Sequence, residues 1–177
     1  MILLLNLLLL TTIHQSNLIP WSATRKLSWD DFKASPDPKS PNAALTNSII
    51  NIEFSFDDQT LTYNIRCSFD KNTSWVRIRN HNILTHEQGH FDIAEIYARR
   101  LHKAVKEYRF NPKTVNQDVM DIYQNMMNLH RQAQTLYDKE TDFSRNKVNQ
   151  EDWLKKINQQ LNDLKAYANY QSVTIKK

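Results

Sequence analysis

The spacing of hydrophobic residues divides the chain into a strand-like part and a helical part. Apolar and polar side chains alternate over residues 50–56 and 61–69, and this period of two predicts two half-buried strands joined by a hairpin turn at residues 57–59. A third short strand is expected at residues 74–78. From residue 82 onward the spacing is helical and predicts helices over residues 82–108, 115–141 and 146–170. The pattern therefore indicates an α+β fold, with a small antiparallel sheet (hairpin plus short strand) followed by three helices.

Composition narrows the function classes. A single glycine among 177 residues leaves no material for a dinucleotide-binding fingerprint or a phosphate-binding loop, which both need several glycines at fixed offsets. The 23 basic and 19 acidic residues give a net charge of +4, but they are interleaved along the chain, which is typical of a solvated surface and not of a nucleic-acid-binding protein. Cys67 is the only cysteine and is expected to be a buried, inert thiol, so a metal site must use His, Asp or Glu.

The start of the chain resembles an export signal. Residues 1–16 carry no charge, and residues 2–10 are apolar except for Asn6, a length that suits the hydrophobic part of a signal peptide and is too short to span a bilayer. We therefore expect a signal peptide over residues 1–16, a secreted or periplasmic protein without a stable membrane span, and one domain over residues 17–177. Residues 17–44 contain three large aromatic residues among four prolines, which indicates an extended segment that wraps the domain.

The strongest chemical signal is the sequence His86-Glu87-Gln88-Gly89-His90, an HExxH motif. Two histidines four residues apart lie on one face of a helix, so both imidazoles can reach one zinc ion, and the intervening glutamate stands beside it as a general base. The helical wheel predicts that this face is turned to the core and that Glu95 and Arg99 lie on the opposite, polar side. Gly89 is costly within a helix, and a close-packed neighbour over the helix would explain it.

A catalytic zinc site needs a third protein ligand. If the first two long helices pack antiparallel about the break at residues 111–114, residue 88 lies opposite residue 134, and Asp138, Glu140 and His130 fall near the level of the metal. Of these, Asp138 is favoured as the third ligand, with Glu140 and His130 as alternatives. His81 and His102 point away from the face of His86 and are expected to be solvated.

Several sequence blocks resemble a known family. The blocks are Leu27-Ser28-Trp29-Asp30-Asp31-Phe32, Ser74-Trp75-Val76, the twelve residues from Leu84 to Glu95, Tyr137-Asp138-Lys139-Glu140-Thr141, and then Gln150 and Trp153. Together they resemble the bacterial domain-of-unknown-function family described as predicted secreted zinc-dependent proteases, over roughly residues 20–160. The resemblance implies a zincin-like peptidase domain with the HExxH helix in its core. It also implies that His86 and His90 are zinc ligands and that Glu87 is the catalytic acid and base. Members often continue the last block as Thr-x-His, where this chain has Thr141-Asp142-Phe143.

The expected function is zinc-dependent hydrolysis of peptide bonds in a peptide or protein substrate, with Glu87 as the general base, Zn²⁺ as the cofactor and no nucleic-acid partner. A tyrosine, Tyr137 or Tyr97, is a candidate for stabilising the oxyanion. The alternatives are an inactive zinc-binding envelope protein that keeps the fold, or a structural module whose helices simply pack. The sequence predicts no oligomeric state.

Overall fold

The computed structural model describes residues 17–177, and the predicted signal peptide lies outside the described residues. The α+β class is confirmed. The strands are β1 (Leu18–Pro20), β2 (Ala44–Leu45), β3 (Ser48–Phe56), β4 (Thr60–Asp70), β5 (Trp75–Val76) and, near the end of the chain, β6 (Val173–Lys176). The helices are α1 (His81–Glu107), α2 (Val115–Thr141) and α3 (Lys147–Asp163), and single 3₁₀ turns occur at Trp29–Asp31 and Lys165–Tyr167.

Strand β4 is the centre of a four-stranded antiparallel sheet. It forms the predicted hairpin with β3, in which Ile52 lies opposite Ile65. Along its other edge, β4 pairs with β1 at one end and with β6 at the other. The expected third strand is found as β5, but it pairs with β2 in a separate two-stranded sheet. The prediction of only a hairpin and one short strand was thus incomplete, because strands of two to four residues are too short to show a period of two.

Helix α1 lies between the sheet and the other two helices. The inward residues of β4, among them Leu61, Ile65 and Phe69, pack with Ile93, Leu101 and other apolar residues of α1 in one core cluster. Helices α2 and α3 contact α1 as well as each other. Because α1 is covered by protein on more than one side, it is buried along most of its length.

The burial of α1 corrects the prediction that its polar side faces solvent. Glu95 and Arg99 are both buried, and Arg99 Nε donates to Glu95 Oε1 over 2.8 Å. Tyr170 Oη donates to Glu95 Oε2 over 2.6 Å, and Arg99 Nη1 donates to the Leu161 carbonyl over 2.7 Å. These charges are tolerated inside the protein because each is paired and hydrogen-bonded.

The segment from residue 17 to residue 44 runs along the domain as expected. Phe32 is buried in the core, and the partly buried Trp21 and Trp29 pack against this core. Trp21 Nε1 also donates to Asp92 Oδ1 over 2.7 Å. This hydrogen bond joins the segment to α1 two residues after the histidine motif.

Helices α1 and α2 match their predicted ranges to within a residue, but α3 does not. It ends at Asp163, and the chain then forms a 3₁₀ turn and strand β6, where a continuous helix to residue 170 was expected. Helix α2 is followed by three successive residues with left-handed backbones, Asp142, Phe143 and Ser144, with φ of 49°, 50° and 73°. This turn directs the chain from α2 into α3. Within residues 17–177, no helix combines the length and apolar character that crossing a membrane requires.

Candidate metal centre

Three side chains predicted as metal ligands converge between α1 and α2. Asp138 Oδ1 lies 3.1 Å from His86 Nε2 and 3.0 Å from His90 Nε2, and the two imidazole nitrogens are 3.1 Å apart. Within the described part of the chain, this is the group of His, Cys, Asp and Glu side chains whose ligand atoms lie close enough to share one metal ion. The geometry therefore brings together the two motif histidines and the favoured third residue.

The convergence follows from two helix geometries. His86 and His90 are one turn apart on α1, so their rings lie on the same face. Helix α2 returns alongside α1, and Gln134 Nε2 donates to the His90 backbone carbonyl over 2.9 Å. Residue 134 is thus beside this part of α1, as the predicted antiparallel register requires, and Asp138 follows one turn later.

The alternative third ligands have other partners. Glu140 Oε2 accepts from Trp153 Nε1 over 2.7 Å, on a face of α2 directed to α3. His130 Nε2 lies 2.8 Å from Gln134 Nε2, one turn of α2 further from Asp138. Among the other histidines, His81 is exposed as expected, but His102 is buried, and its Nδ1 lies 3.0 Å from the hydroxyl of Tyr63. The prediction of a solvated His102 was wrong because the sheet covers that side of α1.

The hydrogen bonds of Gln134 fix the tautomer of His90. Gln134 Nε2 is identified as the amide nitrogen because it faces a backbone carbonyl, which only accepts. The amide oxygen then faces His90 Nδ1 at 2.6 Å, so this ring nitrogen carries the proton. In a neutral imidazole the other nitrogen, Nε2, bears a lone pair, and it points at His86 and Asp138. Histidines that bind metals commonly have their second nitrogen held by such a hydrogen bond.

The centre concentrates electron-rich atoms. Burial alone would raise the pKa of Asp138, but hydrogen bonds to His86 and His90 hold that pKa well below its usual value, so the carboxylate is ionised. Burial alone would lower the pKa of His90, but the hydrogen bond that the protonated, metal-free ring donates from Nε2 to Asp138 and the charge of Glu87 raise it. Both shifts indicate that the centre attracts positive charge. On the far side of the ring, His86 Nδ1 is buried without a hydrogen-bond partner.

The donor set suits a zinc ion. Two imidazole nitrogens and one carboxylate oxygen are common zinc ligands, and three protein ligands leave a fourth position open, as in catalytic sites. Ligand atoms about 2.1 Å from a tetrahedral zinc ion would be about 3.4 Å apart. The observed separations of 3.0 and 3.1 Å are within a few tenths of an ångström of that value.

Glu87, the residue predicted as the general base, lies next to the metal centre. Its side chain is buried and lines the same cleft as the two histidines, and its Oε2 has no hydrogen-bond partner. A buried carboxylate oxygen without a partner is costly unless a ligand or water completes it. The backbone carbonyl of Glu87 accepts from Thr46 Oγ1 over 3.3 Å, which joins α1 to the segment that follows β2.

Tyr137 packs on the metal centre from behind. Its ring stacks on His86 with a centroid separation of 4.5 Å, and it is fully buried. It also explains the only glycine: a Cβ built on Gly89 would lie 2.8 Å from Tyr137 Cζ, with the hydroxyl oxygen closer still. The expectation of a close-packed neighbour over Gly89 is therefore confirmed. Neither Tyr137 nor Tyr97 is among the described residues that line the cleft, so neither is placed to bind an oxyanion there.

The cleft is open and is formed by three parts of the chain. Helix α1 forms its floor with Ile83, His86, Glu87 and His90. Helix α2 forms one side wall, and residues 42–48 around β2 form the other. Its volume is about 370 Å³. Phe143 and Ser144, from the left-handed turn after α2, lie at one end. Position 143, where the resembled family often has a histidine, is thus at the mouth of this cleft.

Sequence reasoning missed two components of the site. The first is Gln134, which it placed at the metal level without giving it a role; glutamine four residues before a carboxylate is too common to be a signal. The second is the wall around β2, because a two-residue strand carries no pattern and its neighbour β5 is 30 residues further along.

Comparison with known proteins identifies a family and no activity. The sequence profile of a family described as "Bacterial protein of unknown function (DUF922)" matches residues 21–145. No curated protein and no solved structure matches the chain significantly. The match covers the aromatic segment from Trp21, the β3–β4 hairpin, the motif helix and α2, so it includes every residue of the candidate metal centre; strands β1 and β6 lie outside it.

Proposed function

The chain belongs to the bacterial family DUF922, whose function is unknown, and we propose that it is a zinc-dependent hydrolase of peptide bonds with a zincin-like site. The observation that carries this proposal is the meeting of His86, His90 and Asp138 beside the unpartnered carboxylate of Glu87 in an open cleft. A pair of histidines with a purely structural role does not require an unpaired buried carboxylate beside it. A hydrolytic site requires such a carboxylate, because a general base must accept and return a proton.

In the proposed reaction, His86, His90 and Asp138 would hold the zinc ion. When bound, that ion would lower the pKa of a coordinated water and polarise the scissile carbonyl. Glu87 accepts the proton of the attacking water and then delivers it to the departing amine. Gln134 keeps the Nε2 lone pair of His90 directed at the centre, and Tyr137 holds the ring of His86 by stacking on it.

The shape of the cleft supports an extended peptide as the substrate. Among the described strands, β2 pairs only with β5, so its other edge carries unpaired backbone groups along the cleft wall. A peptide can add to such an edge by main-chain hydrogen bonds, which recognise any sequence. The Thr46 hydroxyl fixes this wall against α1 at Glu87, so a peptide on β2 would pass over the metal centre.

We also propose that the protein is exported, because residues 2–10 form an apolar run typical of a signal peptide. N-terminal sequencing of the protein recovered from the periplasm or the medium tests this, and an intact Met1 on that protein would contradict cleavage.

The first test is metal content by mass spectrometry on protein purified without added zinc. We expect about one zinc per chain, loss of zinc in His86→Ala and weaker binding in Asp138→Asn, since each change removes one ligand. The exposed His81 and the neighbouring carboxylate Glu140 provide matched controls: His81→Ala and Glu140→Gln should keep their zinc. Absence of zinc even after its addition would contradict the metal site.

The second test is cleavage of a peptide library, with fragments identified by mass spectrometry. Glu87→Gln is nearly isosteric and removes the base, so we expect it to bind zinc and to lose cleavage by about 100-fold or more. Cleavage at the wild-type rate in this variant would contradict the mechanism.

A second candidate function is zinc binding without catalysis. Phe143 favours it, since this position lies at the cleft mouth and members of the resembled family often have histidine there. Bound zinc with no cleavage of any peptide would support this alternative.

A further inference from the structure

Arg131 lies toward one end of the cleft that contains the metal centre. It precedes Asp138 by seven residues, or two helical turns, so both side chains lie on the face of α2 that lines the cleft. Ile83 and Phe143, which are apolar, line the cleft on the other side of the centre. The cleft is therefore cationic at the end where Arg131 lies and uncharged at the other, where Ile83, Phe143 and Ser144 line it.

The charges along the cleft leave Arg131 without a carboxylate partner. Both carboxylates that line the cleft, Glu87 and Asp138, belong to the metal centre. Arg131 is exposed, and its Nη2 donates to the neutral side-chain amide of Asn128. None of the ion pairs with Asp or Glu found within residues 17–177 includes Arg131. His130 adds no charge beside it at neutral pH, because burial lowers the pKa of His130 to about 4.

We propose that Arg131 binds a carboxylate of the substrate, either an acidic side chain or the free C-terminus of a peptide. The seven residues between Arg131 and Asp138 correspond to about 10 Å along α2. An extended peptide advances about 3.3 Å per residue, so the recognised carboxylate lies about three residues from the bond at the metal centre. Guanidinium groups suit this role because their fork of N–H donors matches a carboxylate. The inference rests on the proposed function, since it names the substrate class for that cleft.

Binding, and not turnover, tests the inference directly. The protein is the full chain carrying Glu87→Gln, loaded with zinc, so that bound peptides stay intact. The probes are positional libraries of acetylated octapeptides with Glu, Gln or Lys fixed at each position in turn and an amidated C-terminus. A further set carries a free C-terminal carboxylate. Affinities are measured by fluorescence polarisation with and without Arg131→Gln or Arg131→Glu. Lys139→Gln, an exposed basic residue of the same helix outside the cleft, controls for net charge.

We expect one Glu position, or the free C-terminus, to bind about fivefold tighter than its neutral counterpart. A preference for Glu identifies a side-chain carboxylate, and a preference for the free acid identifies a C-terminal one. Arg131→Gln should abolish the preference, Arg131→Glu should replace it by a preference for Lys, and Lys139→Gln should leave it unchanged.

Equal binding of the Glu, Gln and free-acid libraries would overturn the inference, as would a Glu preference that survives Arg131→Glu. Failure of the proposed function would give a different result. Wild-type protein that binds peptides in this charge-dependent way but cleaves none would contradict the proposed hydrolase activity and would still support the carboxylate-binding role of Arg131.

Discussion

Replacing Gly89 by alanine tests how tightly Tyr137 packs between Gly89 and the His86 ring of the metal centre. Tyr137 Cζ and Cε1 would lie 2.8 and 3.0 Å from the new Cβ, and the hydroxyl oxygen is closer still. Ordinary carbon contacts are about 3.5 to 4 Å, so the ring must retreat by about 1 Å. Tyr137 is fully buried, stacked on His86 and packed against Trp153 at a centroid distance of 5.3 Å, so it has no free space to enter.

Two effects of opposite sign set the magnitude. Overpacking a filled interior costs about 1 to 3 kcal/mol. Alanine is favoured over glycine within a helix by about 1 kcal/mol. We therefore expect Gly89→Ala to lower the free energy of unfolding by about 1 kcal/mol net. Because Tyr137 stacks on His86, the displaced ring should also shift that imidazole and weaken zinc binding by about tenfold or more.

The assay is a double-mutant cycle with Tyr137→Leu, which removes the part of the ring that meets the new methyl group. Urea denaturation of the metal-free proteins gives the unfolding free energies, and competition with a chelator gives the zinc affinities. In the Tyr137→Leu background, Gly89→Ala should become stabilising, with a coupling of about 1 to 3 kcal/mol between the two positions. The reasoning is refuted if Gly89→Ala stabilises the otherwise wild-type protein, or if the cycle shows no coupling.

Three further outcomes follow from the hydrogen bonds around the site and the core. Gln134→Leu removes the acceptor of the His90 Nδ1 proton and should weaken zinc binding about 10- to 100-fold. Nitrogen NMR of the metal-free wild type, at a pH above the raised pKa of His90, should show the Nδ1–H tautomer of the neutral ring, and an Nε2–H tautomer would contradict this prediction. His130 has a pKa of about 4 when folded against 6.5 as its ordinary value, so the unfolded chain binds the proton first and stability should fall as pH drops from 6.5 to 4. The loss is on the order of 2 kcal/mol and should be absent in His130→Asn, as measured by unfolding at both pH values; equal pH dependence in the two proteins would exclude this residue as its source. Tyr170→Phe leaves the buried Glu95 carboxylate without its 2.6 Å donor and should lower the free energy of unfolding by about 1 to 3 kcal/mol; unchanged denaturation curves would argue against that role.

The long elements were predictable because their signals are local. Helices α1 and α2 each run for 27 residues, which is enough for a hydrophobic period of 3.6 to stand out. The β3–β4 hairpin was predicted from the alternation over residues 50–56 and 61–69, whereas its register, with Phe56 opposite Leu61, is defined by the structure. Strands β1, β2 and β6 are two to four residues long, and their pairing partners are far away in sequence, so nothing local marks them.

The burial of charge on α1 shows a second limit of local patterns. The helical wheel correctly turned the two histidines inward, but it assigned Glu95 and Arg99 to solvent. A helix that is covered on several sides can bury such residues when each charge finds a partner, as Glu95 does in Arg99 and Tyr170. Arg99 belongs to α1 itself, whereas Tyr170 lies about 75 residues further along the chain. A helical wheel of α1 can show only Arg99.

The sequence by itself determined the chemistry of the candidate site: His86 and His90 one turn apart with Glu87 between them, because helix geometry fixes the relation of residues three or four positions apart. The tertiary structure alone decided which of the three candidate third ligands joins them. Asp138, Glu140 and His130 lie within three turns of one helix, and the packing of α2 against α1 turns Asp138 to the pair. The amide of Gln134, the wall around β2 and the position of Arg131 also depend on that packing, since contacts between distant segments are set by the fit of whole surfaces and not by spacing along the chain.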